Sequence, residues 1–225
     1  MRITIITAHP DDAEIFCAGT ILAWCSLGAE ITLIIMSDGR RGGKVAHKNL
    51  VNERSVEAKK AAAMLGIKLI ELGLEDGRLS DVEMPYKLVR THLNEFMPDL
   101  VVTHAPKDYH EDHRKTSRFT SAVVNFNFPV LFMEPMMGVG VLPTHYVDIS
   151  KFQDQKEKAI MVHKTQDPLR FVASSRLQAQ FRAAQQGYDG YAEAFIFEPI
   201  YPFADIRNLL PPSINPKAIT DRNSR

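Results

Sequence analysis

The period of the hydrophobic positions changes repeatedly along this chain. Arg2–Thr7 is a β-rich run, after which Asp12–Leu27 places Ile15, Gly19, Leu22 and Cys25 at helical spacing and ends near Gly28. Glu30–Met36 is a continuous apolar strand. Val51–Leu65 reads as a helix, with Val56, Ala63 and Met64 on its apolar side and Gly66 as its stop. Ile67–Glu71 follows as a short strand, Val82–Phe96 as a helix before Pro98, and Asp99–His104 as a buried strand. His113–Asn127 reads as a helix and Pro129–Met133 as a strand. This alternation predicts an α/β fold: a Rossmann-like, doubly wound, mostly parallel sheet with helices on both faces. The default order 3-2-1-4-5 makes strands one and four neighbours where the winding reverses, and ligands of such sheets bind outside the carboxyl ends of the strands there.

The last third is less regular. Phe152–His163 and Leu177–Gln186 read as helices, Phe195–Ile200 as a strand, and the chain from Pro211 as a loose tail. Without a repeat or a linker, the expectation is a single domain over 1–225. It divides into a Rossmann-like core (1–135), a C-terminal α/β extension (136–210) and the tail (211–225).

Charge narrows the function classes. The 27 Lys and Arg balance 27 Asp and Glu, so no basic surplus attracts nucleic acid or an anionic membrane surface. Apolar runs such as "ITLIIM" are too short to span a bilayer. The N-terminus leads straight into a strand without a signal-like segment, so a cytoplasmic protein with no membrane partner is expected. Cys17 and Cys25 fall in one helix, roughly 12 Å apart along its axis, beyond disulfide reach. They read as small buried apolar side chains.

The polar exceptions sit after strands one and four. "HPDDAE" supplies His9, Asp11, Asp12 and Glu14, and "THAPKDYHEDH" supplies His104, Asp108, His110, Glu111, Asp112 and His113. If the sheet order holds, the two clusters meet in one crevice, as a metal site requires. Catalytic zinc takes three His or carboxylate ligands and leaves a position open. Pro10 stiffens the first turn, so that one aspartate can converge with His9 while the other points elsewhere, free to act as a general base. His110 and His113 are three residues apart, and Asp112 can hold one imidazole in its required tautomer. The acidic residues also suit a helix N-terminus. No glycine-rich phosphate loop follows strand one, which counts against a dinucleotide site.

At these residues the chain resembles the zinc-dependent N-acetylglucosaminyl deacetylases of the PIG-L or LmbE-like family. "AHPDDAE" is similar to the family's AHPDDxE and "HEDH" to its HPDH; "RSVEAKKAAAMLGI", "LGLEDGRL", "YVDISKFQDQKEKAIMVHKTQ" and "YAEAF" resemble its weaker motifs in order. The resemblance implies His9, Asp12 and His113 as ligands of Zn2+, with Fe2+ or Co2+ also compatible with the donor set. It implies Asp11 as the general base. His110, oriented by Asp112, would stabilise the tetrahedral intermediate or protonate the amine. Arg54 and Asp76 would hold sugar hydroxyls, and His163 matches a motif histidine of open role. The implied reaction is hydrolysis of an N-acetyl group on an N-acetylglucosamine-type sugar or conjugate, releasing acetate. The implied partner is thus a small N-acetylated substrate; homo-oligomerisation is left open. Glu111, Ala18 and Glu75 depart from the family pattern without removing a ligand.

Other features carry less. "SDGRRGGKVAHKN" is a glycine-rich loop whose Arg40, Arg41 or Lys44 suits an anionic group. Arg54 and Glu57 can equally be a surface ion pair. Met133, Met136 and Met137 read as core filling or as an apolar wall, and Trp24 as packing. Competing readings are a metal-dependent phosphoesterase, whose sites often need two ions, and a non-catalytic module stabilised by metal.

Overall fold

The computed structural model describes residues 1–43, 48–79, 84–198 and 205–212. Strands β1 (Arg2–Thr7), β2 (Glu30–Ser37), β3 (Lys68–Leu74), β4 (Leu100–His104), β5 (Val130–Met133), β6 (His145–Asp148) and β7 (Ala192–Phe197) form one sheet in the order β3-β2-β1-β4-β5-β7-β6. The first five are parallel, in the expected 3-2-1-4-5 order, and β1 lies between β2 and β4 with Ile5 opposite Leu33 and Val102. Strand β7 runs antiparallel to both β5 and β6.

Helices α1 (Asp12–Ser26), α2 (Leu50–Leu65), α3 (Tyr86–Phe96), α4 (Glu111–Val124), α5 (Gln153–Ile160) and α6 (Pro168–Gln185) cover both faces. The central strands alternate their apolar side chains between two cores. Ile3, Ile5, Leu33 and Val102 pack with Ile21 and Trp24 of α1, Ala58 of α2 and Ala179 of α6. Ile6, Ile34 and Val101 pack on the other side with Val89, Leu93, Phe119 and Val123 of α3 and α4. Trp24 is fully buried and donates its Nε1–H to the Leu209 carbonyl at 2.8 Å, so it packs as expected. Cys17 and Cys25 are free thiols.

Several boundaries differ from the sequence expectation, each for a physical reason. On α2 the buried face is Arg54, Ala58, Ala61, Ala62 and Leu65, while Val56 and Met64 face solvent. Small alanines let this helix approach the sheet closely, and the larger apolar residues lie off the contact. Gly66 ends α2 in the left-handed conformation (φ 73°), as anticipated. Helix α3 is described from Tyr86; residues 82–83 of its expected start lie outside the described residues. Helix α6 begins at Pro168 rather than Leu177, with Pro in the first turn where its missing N–H costs nothing. Its buried side is Ser175, Ala179, Arg182 and Ala183, and Leu169, Leu177 and Phe181 are exposed, so no apolar stripe marks it. Strand β6 is not marked in the sequence because its four residues, three half-buried and only Val147 buried, carry too little alternation. Strand β7 begins at Ala192, three residues before the expected Phe195, because two alanines precede its large side chains. Of the expected loose tail, residues 213–225 lie outside the described residues.

Candidate active site

The turn after β1 sets the site. Asp11 precedes α1 with φ 128°, a conformation a non-glycine side chain adopts only under constraint. It sends the two adjacent carboxylates to different partners. Asp12 turns back: its Oδ2 accepts the His9 backbone N–H at 2.7 Å and lies 3.1 Å from His104 Nε2, while its Oδ1 is 3.3 Å from His113 Nε2. Asp11 turns away, with Oδ2 3.2 Å from Arg54 Nη2.

Helix α4 starts at Glu111, two residues earlier than the spacing suggested, with His110 as its N-cap. His113 then falls in the first turn, and both imidazoles face the crevice. The His110 and His113 rings lie 4.6 Å apart, and His9 is 4.8 Å from His110 and 5.3 Å from His113. Donor atoms of His9, His110 and His113 all lie within 4.8 Å of one another, as do those of Asp12, His104 and His113 and those of His9, Asp76 and Asp112. The sheet topology thus brings the two sequence clusters together.

Some expected roles meet different partners. Asp112 does not direct its carboxylate at His110. Its Oδ2 accepts the Gly77 N–H at 2.7 Å and sits 3.5 Å from His9 Nε2, and only its backbone N–H reaches His110 Nδ1, at 3.3 Å. The earlier helix start turns Asp112 across the crevice. The carboxylate that holds an imidazole on α4 is Asp108, whose Oδ2 is 2.9 Å from His113 Nδ1. Arg54 and Glu57 are not a surface pair. Arg54 is buried and donates to the carbonyls of Pro10 and Gly39, and Glu57 accepts the Thr165 N–H at 3.0 Å and its hydroxyl at 2.7 Å. Gly42 is required here: an added Cβ would occupy the Arg54 guanidinium. Asp76 accepts the Arg41 N–H at 2.9 Å and lies 3.2 Å from His9 Nε2. His163 is buried 3.4 Å from Glu14.

Electrostatics separates the groups further. Burial works against charge on His9, yet Asp12, Asp112 and Asp76 hold its pKa well above the ordinary value. Burial likewise opposes the charge on His113, but Asp12 and Asp108 raise it to about 9. Asp12 is held well below the carboxylate range: burial is outweighed by His113, His104 and His9. Burial pushes Asp11 up to about 6 against the pull of Arg54. Burial and the neighbouring His113 push His104 down to about 4, and its Nε2 lies 3.0 Å from the Ala8 nitrogen. Burial, His113 and His9 also lower His110. The field at His9 and His113 therefore favours a cation, and His and carboxylate donors suit a divalent metal; the donor atoms of His9 and His113 group with His110, whereas Asp12 groups with His113 and His104.

His9, Asp11, Asp12, Arg54, Asp76, His110 and His113 open on one cavity of 510 Å3, lined also by Arg41, Tyr109, Met136, Gln166, Arg170 and Phe171. Of the three methionines, Met133 is core, Met136 lines the cavity and Met137 is exposed. Asp108 and Gln166 fall inside motifs of the sequence that assign them no role, and nothing in its local spacing marks Arg170. Lys44 and His47 lie outside the described residues. No helix of the described residues is long and apolar enough to cross a membrane.

Comparison with known proteins agrees with this architecture. The chain is 30% identical over 192 residues to a diacetylchitobiose deacetylase of Thermococcus kodakarensis, covering 74% of this chain and 70% of that one. It is 27% identical over 220 residues to a probable N-acetyl-alpha-D-glucosaminyl L-malate deacetylase of Bacillus anthracis, covering 91% and 96%. The solved N,N'-diacetylchitobiose deacetylase of Pyrococcus horikoshii superposes with a TM-score of 0.75 at 27% identity, covering 91% of this chain and 88% of that one. A profile of the PIG-L family, described as GlcNAc-PI de-N-acetylase, matches residues 4–124, and the chain belongs to that family.

Proposed function

We propose that this protein is a metal-dependent N-deacetylase that hydrolyses the N-acetyl amide of an N-acetylglucosamine-type sugar or conjugate to acetate and a free amine. The observation that carries the reading is the separation of Asp11 from Asp12: one carboxylate among imidazoles, the other on Arg54, both facing one cavity. A closed structural metal site leaves no such spare carboxylate.

His9, Asp12 and His113 would hold the metal, with zinc the ion best suited to two imidazoles and a carboxylate. Such an ion, when bound, acidifies water and polarises a carbonyl. The protein does the rest. Asp108 fixes the His113 ring, and Asp112 and Asp76 brace His9 from the far side. Asp11 accepts the proton of the attacking water as its oxygen bonds to the acetyl carbon. The C–N bond then breaks, and the amine leaves with a proton delivered from the His110 side of the cavity. Asp76, which lines the cavity, would hold a sugar hydroxyl, and Arg54 keeps Asp11 aimed at the cavity.

The test is acetate release from a panel of N-acetylglucosaminides, with and without a chelator. Turnover that chelation abolishes and added Zn2+ restores is expected. Chelator-insensitive turnover, or none on the whole panel by the metal-loaded protein, overturns the reading.

A further inference from the structure

The mechanism uses only the deep end of the cavity. The outer end is defined by exposed side chains: Arg41 from the loop after β2, Tyr109 before α4, and Arg170 in the first turn of α6. At 510 Å3 the cavity has the size that encloses a drug-sized ligand (about 300–1,000 Å3). A sugar bound at the metal end therefore leaves room for a second group.

The two guanidinia differ from other arginines nearby. Arg40 is committed to Asp38, with Nη2 2.7 Å from Oδ2, and Arg54 is buried on Asp11. Among the described residues Arg41 has one ion-pair partner, Glu75, at 4.0 Å. Arg170 makes no ion pair among the described residues and lies 4.5 Å over the Phe171 ring. Arg41 is nevertheless held in place. Its backbone N–H is fixed by Asp76, and its side chain lies across Gly77, where a Cβ would sit 2.8 Å from Cδ and Nη1. Gly77 has φ +75°, so glycine is favoured twice over. Asp76 also contacts His9, so the residue that fixes Arg41 is the one that braces the metal end. The cavity thus runs from a carboxylate-rich floor to a guanidinium-lined mouth, with guanidinia suited to carboxylate or phosphate oxygens.

We propose that Arg41 and Arg170 form an anion subsite for the aglycone. The preferred substrate is then an N-acetylglucosaminide of an acidic alcohol, bearing a carboxylate or phosphate, rather than a neutral disaccharide. This rests on the deacetylase reading above.

The test compares kcat/KM of the metal-loaded enzyme for three compounds: methyl N-acetylglucosaminide, N-acetylglucosaminyl glycerate, and N-acetylglucosamine 1-phosphate. A preference of tenfold or more for an acidic compound is expected, weakening as salt rises; which acid is favoured separates carboxylate from phosphate. Arg41→Gln and Arg170→Gln should each lower the acidic-to-neutral ratio about tenfold, chiefly through KM. Circular dichroism confirms that the variants fold. An unchanged ratio in both folded variants, or a preference for the neutral compound, overturns the subsite. Should none of the three release acetate, calorimetric titration reads the subsite independently: tighter binding of an acidic compound, lost in Arg41→Gln, supports it, and equal binding of all three refutes it. Failure of the deacetylase reading alone would abolish turnover yet leave that difference.

Discussion

Asp11→Asn isolates the base from the metal site. The replacement is isosteric and removes one negative charge. Asp11 is not needed to organise the imidazoles, because its Oδ2 faces Arg54 at 3.2 Å while its neighbour Asp12 meets His9, His104 and His113. Loss of a general base lowers the rate about 10²–10⁴-fold, which corresponds to roughly 2.7–5.5 kcal/mol of barrier. The same change leaves the buried Arg54 guanidinium without its ionic partner, and breaking such a pair costs up to about 5 kcal/mol of stability. Assays therefore belong near 20 °C, with folding confirmed by circular dichroism. Acetate release measures turnover and elemental analysis measures bound metal. The expected result is full metal occupancy with kcat reduced at least 100-fold. Asp12→Asn gives the converse, a metal affinity lowered by more than the 10–100-fold typical of a supporting residue. Near-normal turnover in Asp11→Asn, or loss of its metal, would refute the division of labour between the two carboxylates.

Lys156 invites a catalytic reading but belongs to the scaffold. It is buried with Nζ 2.7 Å from Glu193 Oε1, and Glu193 also accepts the backbone N–H groups of Gly19 and Thr20 in α1, at 2.9 and 2.7 Å. Lys156→Met should cost about 3–5 kcal/mol, lowering Tm by roughly 6–20 °C, while turnover per folded molecule stays unchanged at 20 °C; lost turnover in folded protein would contradict this. His163 gives a pH-dependent term. Burial opposes its charge, but Glu14, with smaller help from Asp11 and Glu57, raises its pKa above 6.5. Its contribution is therefore complete below pH 6.5 and declines as pH rises through the folded-state value. Thermal melts across pH should show the stability gap between wild type and His163→Gln narrowing toward alkaline pH; a widening gap would reverse the sign.

The sequence by itself determined the parallel core and the two polar clusters. Continuous apolar strands separated by helical periods leave few ways to bury both faces of a sheet, and the order 3-2-1-4-5 follows. That order alone brings His9 near His113. The order of the weak motifs was legible too, but not what they do. "RSVE" and "HKTQ" meet as one lock, Glu57 on Thr165, and Glu14 of the first motif meets His163. Only tertiary structure decided these pairings, because each joins chain segments that no local spacing relates. It also decided that Asp108, not Asp112, supports an imidazole on α4. A shift of two residues in where that helix starts redirects every side chain in its first turn, and a capping pattern read from sequence does not fix that boundary. The antiparallel β6–β7 pair and the start of α6 were hidden for a related reason: short strands and helices that bury small or polar residues carry little periodic signal, and their stability comes from the surfaces they pack against.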